Sequence, residues 1–136
     1  MKKFLTEEWR ADYEPAVKDI FSAGKTPSKI NQTLCEVYNE VPQLDGKDFW
    51  YFYEFKDGVI VTLTCGFGVN TAPAADYTSF GDYETVKKIM TKELGIPRAL
   101  MSGKVKLKGN VTKALKMLDT YNRVQDAKEL GGQTEW

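Results

Sequence analysis

The sequence predicts an α+β domain built on a mainly antiparallel sheet. Three observations carry that prediction. An aromatic hairpin pattern spans residues 48–67, a strictly alternating strand spans 104–108, and helical stripes flank this group on both sides. The chain has 136 residues, enough for one domain with one core. Residues 1–132 are expected to form that domain, and 133–136 a polar, mobile tail after Gly131-Gly132.

In chain order, Thr6 is placed to cap a first helix, with Glu7 and Glu8 in its first turn. Trp9, Tyr13, Val17, Ile20 and Phe21 make one apolar stripe, and Gly24 is the stop signal. Thr26-Pro27-Ser28 starts a new element. Residues 30–41 fit two periods, helix through Ile30, Leu34, Val37, Tyr38 and Val41, or strand through Cys35, Val37, Asn39 and Val41. Pro42 to Gly46 reads as a loop.

Asp48 to Phe55 is rich in strand formers, and Asp57-Gly58 is a two-residue hairpin turn. In the return strand Val59, Val61, Leu63, Cys65 and Phe67 alternate onto one face. The first strand is apolar on both faces, so either both are covered or one meets a ligand. After a loop at 70–75 and a short strand at 76–80, Asp82 caps a helix carrying Tyr83, Val86, Ile89, Met90 and Leu94. Pro97 opens a short helix with Leu100 and Met101. Lys104 to Lys108 alternates basic and apolar, the pattern of a half-exposed strand near a sheet edge. Asn110 caps a final helical stretch with Ala114, Leu115, Leu118, Tyr121, Val124 and Leu130.

Histidine is absent, which excludes a Ser-His-Asp triad, a Cys-His pair and a His-ligated zinc site. Cys35 and Cys65 are too far apart in sequence for a CxxC motif and read as free thiols in a reducing compartment. Glu7 with Glu8 and Asp45 with Asp48 sit where capping and turns want carboxylates. These residues point to no catalytic group and no metal site, and no cofactor is expected. No segment has the length of apolar sequence that spans a membrane, and the first residues lack the apolar stretch of a signal peptide. The expected location is cytoplasmic.

Charge is uneven although the total is zero. Between Val86 and Lys116 nine basic residues (Lys87, Lys88, Lys92, Arg98, Lys104, Lys106, Lys108, Lys113, Lys116) face one acidic residue, Glu93. Such a run is either a solvated surface balanced elsewhere or a face for lipid headgroups or acyl-carrier phosphates. Trp50, Tyr51 and Tyr53 as stacking platforms for nucleic acid is the weaker reading, and no nucleic-acid partner is expected. The surplus of aromatics and Met fits either core packing or an apolar ligand cavity with adaptable walls.

The run Gly95-Ile96-Pro97-Arg98-Ala99-Leu100-Met101-Ser102-Gly103-Lys104-Val105-Lys106-Leu107-Lys108-Gly109-Asn110, with Ala75-Asp76-Tyr77-Thr78 before it, resembles the type-2 sterol carrier protein domain. The resemblance covers about residues 33–120, and the expected form is a stand-alone prokaryotic-type member. It implies five strands with helices over the sheet, a hydrophobic tunnel, and binding or transfer of fatty acid, fatty acyl-CoA, sterol or phospholipid without catalytic residues. It also implies that residues 33–40 form a strand paired with 48–56. On this basis the expected cavity lining is Trp9, Tyr13, Val17, Phe52, Leu63, Met90, Leu94, Leu100, Met101, Leu115, Leu118 and Tyr121. Lys87, Lys88, Lys104, Lys106 and Lys108 are the expected contacts to an anionic membrane or phosphate. The alternative is a ligand-sensing or substrate-presenting module of a larger complex.

Overall fold

The computed structural model describes residues 1–25, 29–115 and 117–136, with the side chains of Val111 and Lys113 outside that description. The element expected to start at Thr26-Pro27-Ser28, and Lys116 of the basic run, lie outside the described residues. The order is β1 (Lys2–Lys3), α1 (Glu7–Ile20), β2 (Gln32–Val41), β3 (Lys47–Lys56), β4 (Val59–Phe67), β5 (Tyr77–Asp82), α2 (Tyr83–Met90), α3 (Ile96–Met101), β6 (Val105–Lys108), α4 (Val111–Leu115), α5 (Leu118–Ala127) and β7 (Thr134–Glu135). The main sheet runs β4-β3-β2-β5-β6. Only the β2–β5 pairing within it is parallel.

The ambiguous segment is therefore a strand. Leu34 pairs with Tyr53 and Tyr38 with Phe49 on one side, and Leu34 with Tyr77 on the other. A central strand is buried on both faces, so it loses the alternation that would have identified it. In the β3–β4 hairpin, Asp57 and Gly58 both take positive φ (49° and 78°), the geometry that matches strand twist in a two-residue turn.

The register shifts once in that hairpin. Phe55 pairs with Ile60 but Glu54 pairs with Thr62, so Val61 is the extra residue of a β-bulge. The strict alternation expected from Val59 to Phe67 fails here. Ile60 takes the buried place and Val61 is 50% exposed.

Helices cover one face of the sheet. Thr6 caps α1 by accepting a hydrogen bond from the Trp9 backbone N–H at 3.4 Å, and Asp82 caps α2 through Thr85 at 2.8 Å. The helix expected over 83–94 stops at Met90, and Lys92 turns the chain with φ 66°. Leu94 therefore lies beyond the helix. The last helical stretch is split into α4 and α5, with Leu130 in a separate 3-10 turn.

The opposite face of β3 is covered too. Trp50 and Phe52 pack with Cys35, Val37, Phe80, Ala72 and Ala75, and the Trp50 indole donates to the Thr71 hydroxyl at 2.9 Å. Gly66 makes room for this: a Cβ there would lie 2.6 Å from the Trp50 ring.

The terminal residues are not a loose tail. β7 pairs in parallel with β1, and the Phe4 N–H donates to the Glu135 carbonyl at 2.8 Å. Thr134 is buried, where its hydroxyl accepts from the Trp9 indole at 2.9 Å. The Trp136 ring sits 5.0 Å from that of Phe4. A polar sequence at a chain end suggested solvent, but a single buried hydroxyl with two partners and a ring contact holds it down.

Candidate functional site

The helical face of the sheet has two parts. Over β3 and β4, α1 packs through buried aromatic rings. Trp9 stacks on Tyr13 at 4.6 Å, Tyr13 meets Tyr51 edge-on at 5.3 Å, and Phe21 meets Phe55 at 5.3 Å. Over β2, β5 and β6, the chain from α2 to α5 leaves an apolar cavity of about 50 Å³.

Each strand and helix contributes by its period. β5 and β6 send Tyr77, Ser79, Val105 and Leu107 inward, and β2 adds Leu34. Ile89, Ile96 and Leu100 form one wall. Ala114, Leu115, Met117, Leu118 and Tyr121 form the other. Leu115 both lines the cavity and is 47% exposed, so the space reaches solvent beside α4. A volume of about 50 Å³ corresponds to about four water- or methylene-sized groups, counting about 10–15 Å³ for each.

The structure brings Leu100, Leu115, Leu118 and Tyr121 together at this cavity. The other expected lining residues are elsewhere. Trp9, Tyr13 and Val17 are buried in the aromatic packing under α1, and Leu63 packs against the same cluster from β4. Phe52 is on the opposite face of the sheet. Met90 and Leu94 border a neighbouring surface cleft with Lys92 and Pro97. Met101 is 89% exposed, because the short α3 turns it away from the face that carries Leu100.

Leu34, Tyr77, Ser79, Ile89, Ile96, Val105, Leu107, Ala114 and Met117 were missed as lining residues. For Val105 and Leu107 the signal was present, since they are the apolar half of the alternation whose basic half drew attention.

The five lysines do not share one face. Lys106 and Lys108 alternate with the inward Val105 and Leu107, so they project from the far side of the sheet, opposite Phe80 and Thr78. Lys87 and Lys88 are on α2, in the helical layer. Lys104 precedes β6, exposed like Arg98 of α3.

A polar network separates the two parts of the helical face. Glu36, at the centre of β2, is 2% exposed, and Lys128, just after α5, is 0% exposed. The Lys128 amine donates to Glu36 Oε2 at 2.6 Å and to Gln125 Oε1 at 2.9 Å. Gln125 donates to Glu36 Oε2 at 2.8 Å, and Tyr53 donates to Glu36 Oε1 at 2.6 Å, with the Tyr13 hydroxyl 2.6 Å beyond. Burial lowers the Lys128 pKa below its ordinary value, and the Glu36 charge opposes that shift. Burial, and then Glu36, push Tyr13, Tyr38, Tyr53 and Tyr121 above the usual tyrosine range. All four phenols stay protonated at neutral pH and can donate.

Among the described residues there is no group of three or more Cys, Asp or Glu that could hold a metal ion. No helix among them is long and apolar enough to cross a membrane.

The comparisons with known proteins agree with this geometry. No curated protein matches the sequence. The crystal structure of a sterol carrier protein 2 superposes with a TM-score of 0.66 at 18% identity, over 96% of this chain and 98% of the other. The solution structure of a conserved hypothetical protein from Thermus thermophilus gives 0.62 at 19% identity, over 90% of this chain and 85% of that one. Part of a sec-alkyl sulfatase double mutant gives 0.52 at 24% identity, over 85% of this chain but 16% of the sulfatase. At these identities the structures establish the fold. The sequence itself matches the SCP-2 sterol transfer family over residues 26–120, and the chain belongs to that family.

Proposed function

We propose that the chain binds the apolar part of a lipid between β2-β5-β6 and α2–α5, and carries it between membranes or partners. The observation that supports this is the mainly apolar cavity on one half of a sheet whose other half is packed with rings. Fatty acid, fatty acyl-CoA, sterol and phospholipid are the candidate ligand classes. Each buried methylene contributes about 0.8 kcal/mol, so a dozen outweigh ordering costs.

The cavity is far smaller than a whole acyl chain. Uptake therefore requires α3 and α4 to part from β6 and α5, with Leu115 at the opening. The exposed Arg98 and Lys104 near α3, beside Met101, suit contact with an anionic bilayer surface during exchange. Lys106 and Lys108, on the far side of the sheet, are left out of this docking edge.

The test is native mass spectrometry of the purified protein with organic extraction of whatever it carries. A stoichiometric apolar adduct supports the carrier reading and names the lipid class. A clean polypeptide mass that does not shift with fatty acid, acyl-CoA or sterol overturns it. Transfer to anionic vesicles is expected to slow with added salt, since exposed charges are screened over about 8–10 Å.

The sec-alkyl sulfatase match favours a second reading, in which the same fold serves as a substrate-presenting module of a larger assembly. A partner protein co-purifying stoichiometrically, with no lipid released, would favour that reading.

A further inference from the structure

Ser79 and Tyr121 stand at a boundary. They line the apolar cavity, and they also line a smaller void of about 20 Å³ walled by Glu36, Tyr38 and Gln125. That volume suits about one water-sized group. Its walls carry three hydroxyls, an amide and a carboxylate beside Val37, Gly81, Val86, Ile89 and Val105, whereas the cavity, apart from Tyr77, Ser79 and Tyr121, is lined by apolar side chains.

The charges here are already committed. Lys128 spends its amine on Glu36 and Gln125 and faces the Tyr38 ring at 5.2 Å. Tyr38, by contrast, is buried with a hydroxyl that makes no hydrogen bond of normal length.

We propose that this void receives the polar end of the bound lipid, and that it selects a neutral hydroxyl over a carboxylate. The inference rests on the carrier reading and specifies its ligand. A hydroxyl both donates and accepts, so it can satisfy Tyr38 while bonding Ser79 or Tyr121. A carboxylate would enter beside Glu36 with like charge. Among the described residues lining the void there is no cation to pair with it, and an unpaired buried ion is strongly disfavoured. The apolar tail then points along the leucine- and isoleucine-lined cavity toward Leu115.

The test compares 1-dodecanol with dodecanoate at pH 8, by displacement of a neutral lipid fluorophore from the full-length protein. The alcohol is expected to bind at least tenfold more tightly. Tyr38→Phe, which removes a hydroxyl that makes no hydrogen bond of normal length, is expected to shrink that ratio at least threefold. Ser79→Ala provides the same readout should Tyr38→Phe not fold. A wild-type ratio below tenfold, or a ratio that the variants shrink less than threefold, overturns the hydroxyl receptor and leaves the carrier reading intact. Failure of both lipids to bind, together with a clean mass in the adduct experiment, overturns the carrier reading and this inference with it.

Discussion

The two halves of the helical face share one sheet and one buried side, yet they are built differently. Under α1 the inward positions of β3 are Phe49, Tyr51, Tyr53 and Phe55, and the helix answers with Trp9 and Tyr13. Rings large enough to span the gap fill it. Under α2–α5 the inward positions are Leu34, Tyr77, Ser79, Val105 and Leu107, and the helices answer with Ile89, Ile96, Leu100, Ala114, Leu118 and Tyr121. With only two rings among mostly aliphatic and small side chains, part of the space stays open. Glu36 and Lys128 sit between the halves and tie α5 to the central strand. The contrast teaches that rigidity and room for a ligand need not compete when they occupy different strands of one sheet.

The largest expected effect tests the divider. Lys128→Met leaves the Glu36 carboxylate buried without its cation, and should cost about 3–5 kcal/mol of stability. Urea denaturation checks this, and a loss under about 1 kcal/mol would show that Glu36 finds another partner or water. The double variant Glu36→Gln with Lys128→Met should recover part of the loss, because it removes the charge rather than stranding it.

Next is the filled half. Trp9→Ala should cost about 3–5 kcal/mol through the cavity it leaves and the lost indole bond to Thr134. Lipid uptake at a temperature where the variant stays folded should be unchanged. Reduced uptake under those conditions would mean that the two halves are coupled more closely than their packing indicates.

The opposite face of the sheet offers a smaller effect. Gly66→Ala drives a Cβ to 2.6 Å from the Trp50 ring. Overpacking of this kind costs about 1–3 kcal/mol, readable as a drop in the denaturation midpoint. A neutral result would show that Trp50 has freedom to swing aside.

The smallest effect is chemical. Burial, followed by the Glu36 charge, pushes the Cys35 thiol up to about 12, so at pH 8 about one molecule in ten thousand carries the thiolate. Iodoacetamide should therefore label the half-buried Cys65 and spare Cys35. Equal labelling of both would mean that the central strand opens readily.

Local chemistry explains which of these features the sequence could reveal. Asp57-Gly58 and the Lys104–Lys108 alternation were legible because a turn and a half-exposed edge strand write their geometry into neighbouring residues. Gln32–Val41 was not, since burial on both faces erases the period, and only the family resemblance pointed to a strand there. The Val61 bulge shifts a register through one inserted residue that no alternation rule marks.

The site was less legible than the fold. Leu100 and Met101 are adjacent and equally apolar, and only the orientation of a six-residue helix sends one inward and the other to solvent. Trp9, Tyr13 and Val17 form a good helical stripe, but a stripe reports burial and not whether it faces packing or a cavity. The Glu36–Lys128 pair spans 92 positions, so nothing local pointed to it.

The most direct test of the division of labour is Leu100→Trp, measured for lipid uptake by native mass spectrometry and for stability by urea denaturation, beside Met101→Trp. Leu100→Trp is expected to fill the cavity and lower uptake at least tenfold while the unfolding midpoint barely moves, and Met101→Trp to leave uptake intact. Undiminished uptake by Leu100→Trp would contradict that division, because the lipid would then lie somewhere other than the half of the sheet that the rings leave open.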